Sequence, residues 1–241
     1  MGLVLATLAA LGNILGGWLV TVRRRWNDVM LRVFVAIGAG FLLSVALLRM
    51  LPEALNLERE AALPLVVAGY FLTHLFEHAL VPHFHFGEET HAEFVHASSS
   101  RAALLGLGLH SFFDGVSIAA GYSVSAVLGW LVFVGIALHK LPEGFTIASI
   151  VRAAGGGRRE ALASAAAVGA ACVTGALLLS TAAPLAGYGL AIATGVTIYV
   201  AATDLVPEVN KEVGHNLAFT VLGGVALYLA ASWGLSRLGT P

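Results

Sequence analysis

The chain has 241 residues, of which 58% are hydrophobic and 11% charged, with a net charge of −1, and its mean hydropathy is +0.87. A soluble domain carries about a quarter charged residues, so this composition places the chain in a bilayer, and its near-zero net charge gives no electrostatic case for binding nucleic acid. One cysteine, Cys172, and three methionines exclude a disulfide framework and a soft sulfur site for Cu(I).

A spanning helix needs about 20 mostly apolar residues. Runs of that kind predict an all-α membrane protein of eight transmembrane helices, at roughly 2–22, 29–50, 62–82, 101–121, 126–150, 158–181, 185–206 and 214–236. Connections are short, so residues 1–241 form a single transmembrane domain. No basic residue precedes the first run, and Arg23, Arg24 and Arg25 follow it, the pattern of an uncleaved first span rather than a signal peptide. Gly12 and Gly16 in that span form a GxxxG pair, and Ala161 to Ala171 is nearly all Ala, Gly or Ser, surfaces that let helices approach closely.

With both termini outside, the inner connections hold Arg23, Arg24, Arg25, Arg32, Arg101, Arg152, Arg158, Arg159 and Lys211, against Arg49, Arg59 and Arg237 outside. The positive-inside rule therefore favours extracytoplasmic termini. The second and seventh segments end alike, Leu51-Pro52-Glu53 and Val206-Pro207-Glu208, on opposite faces in this topology. That match suggests a 3+2+3 arrangement with an inverted repeat around a central helix pair.

The third segment ends in His74-Leu75-Phe76-Glu77-His78, and a loop at about 83–100, on the inner side, carries His83, His85, Glu88, Glu89, His91, Glu93 and His96. His-x-x-Glu-His is also an inverted zinc-protease signature, but no further ligand or catalytic scaffold accompanies it. Histidines and carboxylates strung along such a segment suit a relay that passes a cation by successive exchange; a plain solvated loop is the competing reading.

The fourth segment contains His110-Ser111-Phe112-Phe113-Asp114-Gly115 and the fifth His139-Lys140-Leu141-Pro142-Glu143-Gly144. Residues four apart share a helix face, so each segment presents an imidazole and a carboxylate on one stripe. Ionisable side chains at mid-span cost about 2.5–3.5 kcal/mol each and require interior partners. A single such histidine is commonly a hydrogen-bonded contact between helices; two matched His and carboxylate pairs on adjacent spans predict a metal site. Two imidazoles and two carboxylates suit Zn²⁺, and also Fe²⁺, Mn²⁺ or Cd²⁺. Pro142 leaves the Leu138 carbonyl without its usual donor, and Gly115 and Gly144 permit a bend or a close approach.

These two motifs, the eight-segment layout and the histidine-bearing loop resemble the ZIP (Zrt- and Irt-like protein) family of metal importers. The resemblance implies metal ligands at His110, Asp114, His139 and Glu143. It also implies second-metal positions that read Ser111 and Lys140 here, and a cytoplasmic exit at His78, His83, His85 and Asp204. With Lys140 where a second cation would sit, and no acid between Ala161 and Pro184, the expectation is a mononuclear site whose counter-ion is Lys140. The resemblance further implies import of a divalent cation through a plasma membrane, bacterial inner membrane in a prokaryote. The first, fourth, fifth and sixth helices would slide against the others in a homodimer, with no ATP-binding motif required. A membrane-embedded zinc hydrolase is the rival from another class, with a metal-bound water as nucleophile. A metal sensor that binds without flux is a third.

Overall fold

The computed structural model describes residues 1–22, 28–80, 97–210 and 215–238, with side chains left out at 28–31, 79–80, 97–99, 102, 183, 208, 210 and 215–217. Every regular element among them is helical: α1 (Gly2–Val22), α2 (Asp28–Val45), α3 (Leu51–Leu57), α4 (Ala62–Leu75), α5 (Ala97–Val124), α6 (Ala126–Ala153), α7 (Arg158–Thr181), α8 (Ala186–Tyr199), α9 (Val206–Asn210) and α10 (His215–Leu238). The chain is an all-α membrane protein, with seven helices among the described residues long and apolar enough to cross a bilayer.

The predicted third span is α4 running on through a π-helical turn at Phe76–Leu80. The expected loop at about 83–100 lies outside the described residues as far as 96, while residues 97–100 already belong to α5. Short local signals set the other breaks. The Ser125 side chain accepts from Leu128 N at 3.1 Å and starts α6 one residue after α5 ends. Gly155 takes φ +87° and turns the chain out of α6, a conformation that suits glycine.

Two further π-helical turns, Ala46–Met50 and Val200–Leu205, join α2 to α3 and α8 to α9. Each ends two residues before a proline, Pro52 or Pro207. Proline has no N–H to give and crowds the carbonyl four residues back, and a widened turn relieves both conflicts without breaking the helix. The sequence match at these two sites thus marks a shared structural device.

Backbone contact at glycine organises the packing. Gly16 and Gly144 cross α1 on α6, and Gly115 and Gly175 cross α5 on α7. Gly40 and Gly224 cross α2 on α10, and Gly69 and Gly195 cross α4 on α8. At all eight positions a Cβ would lie within 2.2 Å of a carbonyl oxygen of the partner helix, always that of the residue three before the partner's own glycine. Such an approach replaces side-chain packing by dispersion and Cα–H···O contact between backbones, the kind of association that holds helices together where lipid supplies no hydrophobic drive.

The crossings join the long helices in four pairs; α1, α5, α6 and α7 form one group, and the pairs α2–α10 and α4–α8, which meet through the π-helical turns after α2 and α8, form the other. Within the first, α1 also touches α7, with Gly17 against Ala165 and Gly169 against the Ala10 carbonyl. The groups meet where α2 packs on α6 and α5 on α8. Between α2 and α6 the glycines meet side-chain carbons first, Gly38 at His139 Cβ and Gly135 at Leu42 Cδ2, and Gly189 of α8 likewise meets Leu179 Cδ1 of α7.

Adding a methyl group at a crossing should force the helices apart. Gly175→Ala and Gly144→Ala are each expected to destabilise by about 1–3 kcal/mol, the usual cost of overpacking. Gly223→Ala, where nothing lies within 4 Å of the added carbon, should be neutral or stabilising by helix propensity. Melting temperatures in detergent test this, and equal effects at all three positions would contradict it.

Candidate metal centre

The His-x-x-x-acid spacing does what helix geometry requires. His110, Ser111 and Asp114 project from α5 and His139, Lys140 and Glu143 from α6 into one buried cluster. The glycine after each carboxylate brings a third helix close: the Cys172 carbonyl of α7 lies against Gly115 and the Asn13 backbone of α1 against Gly144. Of the two uses expected of these glycines, close approach is the one realised. No break accompanies Pro142, for α6 is helical throughout Ala126–Ala153.

The four candidate ligands are almost sealed, with exposures of 8% for His110, 5% for Asp114, 2% for His139 and 0% for Glu143. His110 Nε2 lies 3.2 Å from His139 Nε2, and Asp114 Oδ2 lies 3.2 Å from the first and 3.3 Å from the second. Tetrahedral zinc bound by nitrogen and oxygen at about 2.0–2.2 Å holds its ligand atoms about 3.3–3.5 Å apart. The three atoms therefore have the dimensions of one face of such a tetrahedron. Ligand atoms of all four residues lie within 4.8 Å of one another, so Glu143 is close enough to complete the set.

Second contacts set the chemistry of these donors. His139 Nδ1 lies 3.2 Å from the Gly135 carbonyl, which can accept its N–H, and this contact orients the ring so that Nε2 faces the cluster. Lys140 Nζ donates to Asp114 Oδ2 at 2.7 Å, to Glu143 Oε2 at 2.5 Å and to Ser111 Oγ at 2.7 Å. An ammonium has three donors, and all three are used. Lys140 is 0% exposed, so it reaches no membrane interface.

Glu143 Oε1 and His110 Nδ1 are buried with no hydrogen-bond partner. Buried polar atoms of native proteins seldom stay unpaired, and an ion site is a recognised reason when they do.

Two further residues belong to this region. Asn13 is completely buried, and with its amide nitrogen turned toward α6 it donates to Glu143 Oε2 at 3.3 Å and to the Lys140 carbonyl. Its sequence signal was an amide between Gly12 and Gly16 in an otherwise apolar run. Glu77, part of the His-and-carboxylate stretch at the end of the third segment but not among the expected exit residues, lines a cleft with Leu107, His110, His139 and Asp204.

Of the expected exit residues, Asp204 therefore shares a cavity with both central histidines. His78 is exposed and stacks on His74 at 4.3 Å, with Nδ1 3.0 Å from the His74 carbonyl. His83 and His85 lie outside the described residues.

A polytopic helical protein with nitrogen and carboxylate donors gathered in its interior belongs to the class of membrane proteins equipped to handle cations. Comparison with known proteins narrows that class. Residues 87–231, more than half of the chain, match the family described as ZIP Zinc transporter. The chain is also 28% identical over 242 residues, 93% of its own length and 93% of theirs, to proteins named Zinc transporter ZupT from Salmonella paratyphi A, Salmonella newport and Salmonella dublin. The chain belongs to the ZIP family, and so to transporters rather than enzymes.

If Lys140 takes the place of a cation, an acid there should create room for one. Purified protein is expected to bind one zinc at this centre and Lys140→Asp two, measured by equilibrium dialysis with metal analysis. Unchanged stoichiometry together with an unchanged transport rate would remove the counter-ion role.

Proposed function

We propose that this protein carries a divalent transition metal, zinc first, into the cytoplasm, with His110, Asp114, His139 and Glu143 as the ligands of a mononuclear transport site. The observation that carries the reading is the triangle of His110 Nε2, His139 Nε2 and Asp114 Oδ2, with sides of 3.2, 3.2 and 3.3 Å, buried between two membrane-spanning helices. The name its relatives carry, zinc transporter, agrees with that donor set. Fe²⁺, Mn²⁺ and Cd²⁺ accept the same donors, because ligand type alone does not separate them.

The packing supports a reading of alternating access by sliding. The centre is built wholly on α1, α5 and α6, and glycine crossings bind those helices to one another and to α7. Where this group meets α2 and α8 the closest glycine contacts are with side chains, a surface that can shift register at lower cost than interlocked backbones. We assign α1, α5, α6 and α7 as the moving, metal-bearing bundle and α2, α4, α8 and α10 as the scaffold. Exchanging α1 with α7, α2 with α8, α4 with α10 and α5 with α6 turns each crossing into another crossing, as a 3+2+3 inverted repeat demands.

Glu77 and Asp204 stand on the scaffold, in the π-helical turns after α4 and α8, and share a cleft with His110 and His139. They offer a cation its next oxygen donors on leaving the centre. With both termini outside, this cleft and the histidine-bearing loop lie on the cytoplasmic side of a plasma membrane or bacterial inner membrane.

Liposomes containing the protein and a trapped zinc indicator should fluoresce on external zinc. His110→Ala and Glu143→Ala are each expected to cut initial uptake at least tenfold, whereas Glu77→Gln with Asp204→Asn should slow uptake while leaving one zinc bound. Saturable zinc binding without flux would contradict transport and favour a sensor. Comparison of Zn²⁺, Fe²⁺, Mn²⁺ and Cd²⁺ in the same assay orders the substrates.

A further inference from the structure

Lys140 is the largest charged side chain sealed among the described residues, and its ammonium has a complete set of partners, Asp114, Glu143 and Ser111, at 2.7, 2.5 and 2.7 Å. Ser111 and Asp114 come from α5 while Lys140 and Glu143 come from α6, so the contacts fasten together the two helices that carry the metal donors. All four lie in the bundle assigned above as moving. Any motion of the bundle carries the ammonium with the carboxylates.

A carrier crosses twice in each cycle, once loaded and once after release. The self-energy of a site in a low-dielectric medium grows as the square of its net charge, so charge balance must be judged for both crossings. Two carboxylates and two neutral imidazoles alone would carry two negative charges without cargo and none with a divalent cation. One crossing would be easy and the other heavily penalised. With Lys140 added, the site carries one negative charge without cargo and one positive charge with it. The two crossings then face self-energies of equal size.

We infer that Lys140 is the charge-compensating residue of the return step, a tethered cation that lets the bundle reorient without cargo and so makes net transport, rather than mere exchange, fast. The inference rests on the transport reading above and adds a division of labour to it: the four ligands hold the substrate, and Lys140 travels in both directions as ballast. The loaded crossing does not need it, since a divalent ion by itself neutralises Asp114 and Glu143.

Two assays on the same liposomes separate these steps. Net zinc uptake into metal-free vesicles requires return without cargo, whereas exchange of labelled for unlabelled zinc at equal concentrations proceeds through loaded crossings alone. Lys140→Met, which keeps an unbranched side chain of similar reach and loses the charge, is expected to lower net uptake at least tenfold. Exchange should not fall, because the loaded site then carries no net charge. Lys140→Arg, which keeps the charge, should restore net uptake to within a few-fold.

A loss of net uptake and exchange in equal proportion, or no loss of either, would overturn the inference, and so would an arginine variant as slow as the methionine one. If Lys140→Met gives no folded protein, Lys140→Gln is put through the same pair of assays with the same expectations. Absence of both fluxes from the unmodified protein would instead defeat the transport reading itself.

Discussion

Moving a charge from water into a protein interior costs several kcal/mol even after relaxation, and α5 and α6 place two carboxylates and an ammonium side by side inside the membrane domain. Much of the surrounding structure answers that constraint. Lys140 spends every donor it has on Asp114, Glu143 and Ser111. Asn13 brings an amide from α1 to Glu143, and the Gly135 carbonyl fixes the ring of His139. Removing any one of these partners would leave a desolvated charge or dipole uncompensated, a larger penalty than the interaction itself is worth.

Such a network needs helices closer together than ordinary side chains allow. Gly144 lets the backbone of Asn13 reach α6, and Gly115 lets α7 lie against α5 beside Asp114. The same residues that complete the two motifs thus seal the centre from behind. The same reciprocal crossing recurs in the other four long helices, joining α2 to α10 and α4 to α8. The proposed sliding would run along the side-chain boundary between the two groups.

Much of this was legible in the sequence because its physics is local. The apolar runs delimit helices whose ends fall within a few residues of α1, α6, α7 and α10, and of α4 and α8 with their π-helical turns, and four-residue spacing alone puts His110 with Asp114 and His139 with Glu143. The choice between bend and close approach at Gly144 was not local. It is decided by Asn13, more than a hundred residues earlier, and no periodicity reports which helix will arrive there. Glu77 was obscured for a similar reason, since its relation to Asp204 exists only once α4 lies against α8. Pro142 sits within α6 without ending it, because the helix on both sides stays packed on its neighbours.

X-ray absorption at the zinc K-edge of the loaded protein tests the central claim most directly. The account predicts a single zinc with only nitrogen and oxygen neighbours at about 2.0–2.2 Å, two of them imidazoles, and the loss of one imidazole contribution in His110→Ala. A spectrum with sulfur at about 2.3 Å, or one that His110→Ala leaves unchanged, would contradict it.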